Sequence, residues 1–349
     1  MSLPLSSDLP TSLLAACFNS TSATYKFYWF LSILQAVEQG KTTIAKRELF
    51  AGMIANAWYT VNYFHVSFGK QDRLQRAIES LQFTEQLTID ADRNSIRKQL
   101  TTTYNRQSLA ELSYFNSQVP HWFLSPWFPG ADRKDIYEGS TIFHNDCLYS
   151  LAADSITINP KWVNYLTSNA RVLKDFCYWN LTLFLQTKNP NVPDIAGKLV
   201  KPAIRSGLNG QRKNFWDVVL QEVGSVDCIY TGEKLTVGNY AVEHFVPFSF
   251  VSHDLIWNLI PADKSFNCKK SDKLPSLDTY FEPFYKLQEV AVKIINQQNP
   301  KNKYLEDYLT IFPDLSIMQL DKDKARRRYK EQLQPLITIA ANNGFEYLS

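Results

Sequence analysis

The sequence predicts a mainly α protein with a small α+β part: a helical N-terminal region, a short mixed core at about 225–275, and C-terminal helices. Three observations predict it. Ser22–Gln39 and Glu48–Phe64 are apolar almost all round, the mark of buried helices. Asp278–Gln298 and Ser316–Asn343 carry helical spacing through the last part of the chain. Between them, Asp227–Pro275 mixes strand-like runs with prolines and polar clusters.

The remaining elements follow in order. Asp72–Gln86 spaces Leu74, Ile78 and Leu81 along one helix face, and Ala91–Tyr104 predicts another helix. From Val119 to Pro160 the run VPHWFLSPWFPG sets three prolines and a glycine among aromatics, which suits loops or short strands. Cys147–Leu151 and Ser155–Ile158 read as strands joined by a turn around Asp154. Helix returns over Pro160–Thr187, breaks at the Pro/Asn-rich Lys188–Asp194, and resumes as a short amphipathic helix at Asn214–Val223. Glycine and polar residues cluster at Ile204–Gln211, which predicts a boundary between residues 1–205 and 206–349.

Composition narrows the class. Of 349 residues, 45% are hydrophobic, 20% charged and 14% aromatic, ample for large cores. A formal charge of +3 neither demands nor excludes a nucleic-acid partner. Five irregularly spaced cysteines argue against a disulfide framework and for reduced thiols. The opening MSLPLSSDLPTSLLAACF lacks the basic start and long apolar run of a secretory signal, and Phe27–Leu34 is too short to span a bilayer. The expectation is a cytoplasmic protein with no membrane partner.

The chemistry concentrates in Asp227–Pro275. An acid–histidine pair, Glu243–His244, ends a strand-like run and is followed by Pro247; Asn258 and then Asn267 come later, the second in a helical segment at about Ala262–Lys270. Hydrolysing a phosphodiester requires an activated water and neutralisation of phosphoryl charge. A neutral imidazole suits the base near pH 7, and one carboxylate with one amide oxygen suits a single Mg²⁺ or Mn²⁺ ion. Glu243 and Asn267 would supply those oxygens and His244 would act on water. Asn258 would pin the loop or fix the imidazole's orientation. Asp263 is an alternative ligand if the helix is rotated. Neighbours on a regular strand point to opposite faces, so Glu243 and His244 share a site only where the strand ends or bulges.

YAVEHFVPFSFVSHDLIWNLIPADKSFNCKKSDKLP resembles the HNH (ββα-metal) nuclease family in its HNN version, and is similar in pattern to the HNH domain of RNA-guided CRISPR nucleases. The resemblance implies a ββα-metal core, with Glu243 as metal-binding acid, His244 as general base, Asn258 as supporting asparagine and Asn267 as second metal ligand. Two departures stand out. Glu occupies position 243, where Asp is common. Many relatives carry paired C-x-x-C motifs for structural zinc, but here Cys228 is followed by Thr231 and Cys268 stands alone. No structural zinc is therefore expected. The run NAWYTVNYFHVSFGKQDRL resembles bacterial proteins that end in an HNH domain and are considered phage-defence nucleases. That resemblance implies DNA as substrate and a sensor or ATPase encoded nearby as partner. One site cuts one strand, so a double-strand break needs a homodimer or two successive nicks.

Plainer readings stand beside these. Lys264, Lys269, Lys270 and Lys273 either face a phosphate backbone or form a solvated helix face. Arg326, Arg327 and Arg328 are consecutive and point in different directions on a helix, which favours a solvated surface over a DNA clamp. A catalytically silent HNH fold that binds nucleic acid or a partner is the alternative class. An RNA-directed nuclease ranks below a DNA enzyme, because no RNA-binding signature is present.

Overall fold

The computed structural model describes residues 3–200, 207–316, 318 and 321–348. Positions 204–206 of the expected boundary, and parts of the expected 316–343 helix, lie outside them. The chain is mainly helical with three small antiparallel sheets among the described residues. It divides into two units: Met1–Pro190 with Ile195–Lys201, and Asn191–Asp194 with Pro202–Ser349.

The first unit opens with α1 (Thr11–Ala16) and α2 (Tyr25–Glu38), then β1 (Thr43–Ala45) and α3 (Lys46–Asn62). In α2 and α3 nearly every side chain is buried, as their all-round apolar sequences require. Gly52 allows their close approach, since a Cβ there would lie 2.7 Å from Ser32 Oγ. Around this pair run α4 (Arg73–Thr84), α5 (Arg93–Thr102) and α6 (Arg106–Tyr114). Asp72, Asp92 and Asn105 cap them by accepting backbone N–H groups at their starts.

The aromatic, proline-rich stretch is more helical than its sequence suggests. It forms α7 (Pro120–Phe123) and α8 (Arg133–Thr141). Pro120 stands in the first turn, where its missing N–H costs nothing, and Asp132 caps α8 by accepting the Asp135 N–H at 2.9 Å. β2 (Tyr149–Leu151) and β3 (Ser155–Ile158) form as expected. β1 joins them in the order β1-β3-β2, with Ile44 opposite Ile156. The Pro160–Thr187 helix divides at Asn169 into α9 (Pro160–Ser168) and α10 (Ala170–Lys188).

The second unit begins with α11 (Asn209–Gln211), a π turn at Arg212–Trp216 and α12 (Asp217–Val223), which ends at Gly224 with φ 78°. Two hairpin-like pairs follow: β4 (Val226–Asp227) with β5 (Lys234–Leu235), and β6 (Ala241–His244) with β7 (Leu259–Ala262). The connection between β6 and β7 contains α13 (Phe248–Val251), and α14 (Lys264–Lys270) follows β7 directly. α15 (Leu277–Gln298) buries Phe281, Phe284, Gln288, Ala291, Val292 and Ile295 at helical spacing, and α16 (Lys322–Asn342) does so with Tyr329, Leu333 and Ile337. Among the described residues no helix is long and apolar enough to cross a membrane.

Candidate active site

A two-stranded sheet leaves open edges and little core, so the second unit braces β6 and β7 from outside. Phe245 packs on Phe284 of α15 with ring centroids 4.1 Å apart. The Gln288 amide donates to the Leu259 carbonyl at 2.8 Å, covering the β7 edge. Tyr329 Oη donates to the Trp257 carbonyl at 2.6 Å, and Asp307 Oδ2 accepts the Ile256 N–H at 2.8 Å. These bonds fix the path of the connection from residue 245 to 258.

Within that frame β6 sets Glu243 opposite Ile260 and His244 opposite Leu259, and the strand ends at His244. Both residues are still paired in the ladder, and His244 is the last residue of β6. Both side chains are buried, at 3% and 5% exposure. Asn258 is fully buried and holds the backbone of Val246 from both sides: its Oδ1 accepts the Val246 N–H and its Nδ2 donates to the Val246 carbonyl, each at 2.8 Å. These bonds tie the backbone just after His244 to the residue just before β7. The imidazole has a different partner: His244 Nε2 lies 2.8 Å from Asp254 Oδ1. A carboxylate acceptor at this distance pairs with a proton on Nε2.

α14 supplies the third side. Asn267 is half-buried, one helical turn before Lys270 and on the same face. Lys270 corrects the expectation of a phosphate-facing surface lysine. It is fully buried, and its Nζ donates to Glu243 Oε1 at 2.7 Å and to the His244 carbonyl at 2.9 Å. A cation in the interior needs such a partner, and Glu243 provides it. Glu243 Oε2 accepts from Tyr230 Oη at 3.3 Å. Burial, and next the Glu243 charge, push the Tyr230 hydroxyl well above its ordinary pKa, so it stays a donor. Lys264 and Lys269 are exposed, with Lys264 Nζ on the Gly238 carbonyl at 3.0 Å, and Lys273 is half-buried.

Asp263 caps α14. Its Oδ1 accepts from Ser265 Oγ at 2.5 Å and from the Phe266 N–H at 2.8 Å, and the first of these bonds leads in lowering its pKa. The β4–β5 turn is tied to α14 by aromatic stacking of Tyr230 on Phe266, centroids 4.7 Å apart, and by Cys228 Sγ, which accepts the Asp263 N–H at 3.4 Å. Of the arginine triplet, Arg326 pairs with Glu282 on α15. Sequence reasoning missed Asp254 and misplaced Lys270. The only signal for either was distance: an acid ten residues past the histidine, and a lysine one turn past the asparagine.

The buried acid–histidine pair at a strand end, the pinned connection and the helix behind it can be set beside known proteins. Residues 228–276 match the HNH endonuclease family model. Over 117 residues, 33% of the chain, the sequence is 27% identical to the CRISPR-associated endonuclease Cas9 of Listeria innocua serovar 6a. That alignment spans 8% of the relative's own length. No solved structure matches the chain. In the matched segment β6, β7 and α14 follow one another as strand, strand and helix, and Glu243, His244, Asn258 and Asn267 lie on them or on the connection between β6 and β7.

HNH nucleases work with a divalent cation, and the donors present suit a hard one. Among the described residues no three His, Cys, Asp or Glu groups cluster as a metal site. Glu243 and Asn267 would hold such an ion by two oxygens, leaving the rest of its shell to water and phosphate, as Mg²⁺ and Mn²⁺ prefer.

Proposed function

We propose that the HNH segment hydrolyses DNA phosphodiester bonds with one Mg²⁺ or Mn²⁺ ion. The observation that carries the reading is the buried Glu243–His244 pair at the end of β6, with the imidazole oriented by Asp254 and its loop pinned by Asn258. When bound, the cation would neutralise charge on the phosphoryl group and leaving oxygen. His244 Nδ1 takes the proton of the attacking water, Asp254 keeps the ring in the productive tautomer, and Asn258 holds the backbone that carries both. Lys264 and Lys269, exposed on α14, supply charge for the phosphate backbone. Incubating the full chain with plasmid, single-stranded DNA and RNA, each with Mg²⁺, Mn²⁺ or EDTA, tests this. Metal-dependent DNA cleavage is expected. Cleavage of RNA alone would reassign the substrate, and none with any metal would support the silent binding module.

The wider reading is a cytoplasmic nuclease of bacterial defence against foreign DNA, in which residues 1–205 regulate residues 206–349 or bind a sensor or ATPase. Its support is the resemblance of the NAWYTVNYFHVSFGKQDRL run and the absence of any catalytic constellation before the HNH segment in the sequence. Double-strand cleavage would require a homodimer or two nicks.

A further inference from the structure

Lys270 poses a physical question that the cleavage chemistry does not answer. It is a fully buried ammonium on the carboxylate proposed to take the cation. As a way to hold α14 against β6 it is inefficient, because a buried ion pair gains little over a well-packed apolar pair of the same volume. It also engages both functional residues at once, through the Glu243 carboxylate and the His244 carbonyl. With Tyr230 on Oε2, both oxygens of Glu243 already have protein donors.

We propose that Lys270 is a resident counter-cation that competes with the divalent ion for Glu243 and keeps the HNH segment weakly loaded until substrate arrives. This rests on the reading of Glu243 as a metal ligand. Were Glu243 to hold a divalent ion, Lys270 Nζ would either remain on the same carboxylate beside a like charge or leave it for a buried place that no longer balances its own charge. Both routes weaken binding to the free protein. A substrate phosphate relieves the conflict by bringing negative charge and oxygens for both cations. Only the partner of the Lys270 ammonium changes. The consequence is ordered loading, with metal held firmly only when the phosphodiester is present.

The test is Mn²⁺ binding to the full chain without nucleic acid, followed by calorimetry and by the paramagnetic resonance of free Mn²⁺. Lys270→Gln removes the charge while its amide can still donate to Glu243. It should bind Mn²⁺ at least about tenfold more tightly than wild type, the scale on which residues behind a ligand tune metal affinity. Lys270→Arg, which keeps the charge, should bind like wild type, and Glu243→Gln should lose the site. Affinity of Lys270→Gln equal to or below wild type, with Glu243→Gln inactive in binding, would overturn this inference and leave the metal assignment standing. Unchanged binding by Glu243→Gln would instead remove the metal assignment, and this inference with it. If Lys270→Gln does not fold, the ¹⁵Nζ resonance of Lys270 in the wild-type chain decides. It should shift as Mg²⁺ saturates the site, and a resonance that stays fixed overturns the proposal.

Discussion

His244 Nε2 and Asp254 Oδ1 lie 2.8 Å apart, joining the end of β6 to a loop residue whose side chain is 23% exposed. The pair resembles in logic other base–orienter pairs, where a carboxylate fixes which imidazole nitrogen carries the proton. Asp254→Asn can present an amide N–H to Nε2 and so favour the wrong tautomer. Cleavage should fall about 100-fold, the order of loss for a misoriented catalytic group, with melting temperature nearly unchanged. An Asp254→Asn protein that cuts at the wild-type rate would show that the pair is incidental.

His244→Ala removes the proposed base and should lower the cleavage rate by roughly 10²–10⁴-fold. The imidazole is not a proposed metal ligand, so Mn²⁺ affinity should stay within about threefold of wild type. Measuring rate and Mn²⁺ affinity on the same preparation separates the two roles. Loss of metal along with rate would make His244 a ligand.

Asn258→Ala leaves the Val246 N–H and carbonyl without their partner in a fully buried place. Each orphaned group costs roughly 1–3 kcal/mol, so urea unfolding should register a large loss. The loop after His244 also loses its anchor, and cleavage should fall with stability. A stable but inactive Asn258→Ala would point to a direct chemical role that the geometry does not show.

How much of this was legible follows from which contacts are local. Glu243, His244, Asn258 and Asn267 stand out in the sequence as an ordered set because the HNH resemblance picks them out together. Long apolar helices were legible from spacing along the chain. Lys270 was not, because a lysine in KSFNCKKSDK looks solvated until a carboxylate 27 residues earlier buries it. Asp254 owes its position to a loop held by Asp307, Gln288 and Tyr329, groups beyond the reach of a periodic pattern. β1 is three residues long and exists only because β3 pairs with it. In α8 the cap at Asp132 outweighs the prolines before it.

His121, in the first unit, should make that unit sensitive to acid. Burial, with Arg133 and Lys46 adding to it, lowers its pKa to about 4, and its Nδ1 has no hydrogen-bond partner. The unfolded chain takes up this proton near the ordinary value of about 6.5 while the fold resists until about pH 4. Between those limits the unfolded state binds more protons, so stability falls as pH drops, by up to about tenfold in the unfolding constant per pH unit. His121→Phe keeps a ring among Trp122 and Tyr137 but cannot titrate. Its melting temperature should fall less than that of wild type from pH 6.5 to 4, and parallel curves would show that His121 is not the sensor.

Asp307 predicts the opposite trend in the second unit. Burial raises its pKa, Glu306 adds to the rise, and the Ile256 N–H and Lys303 oppose it. A carboxylate whose folded pKa is raised contributes stability that is fully present below its unfolded value, about 3.9, and lost as pH climbs through the folded value. At pH 7 the fold therefore bears the cost of an ionised, half-buried carboxylate in order to hold the Ile256 N–H. Asp307→Asn keeps an oxygen that can accept that N–H and never ionises. It should melt above wild type at pH 7, and the gap should close as pH falls below about 4, where both side chains are neutral. A variant less stable than wild type at pH 7 would mean that the carboxylate's charge strengthens the bond to Ile256 by more than its burial costs. Cleavage gives an independent reading, because Ile256 lies two residues before Asn258 on the connection that Asp307 braces. An Asp307→Asn chain that gains stability should retain its activity, whereas Asp307→Ala, which drops the acceptor altogether, should lose part of both.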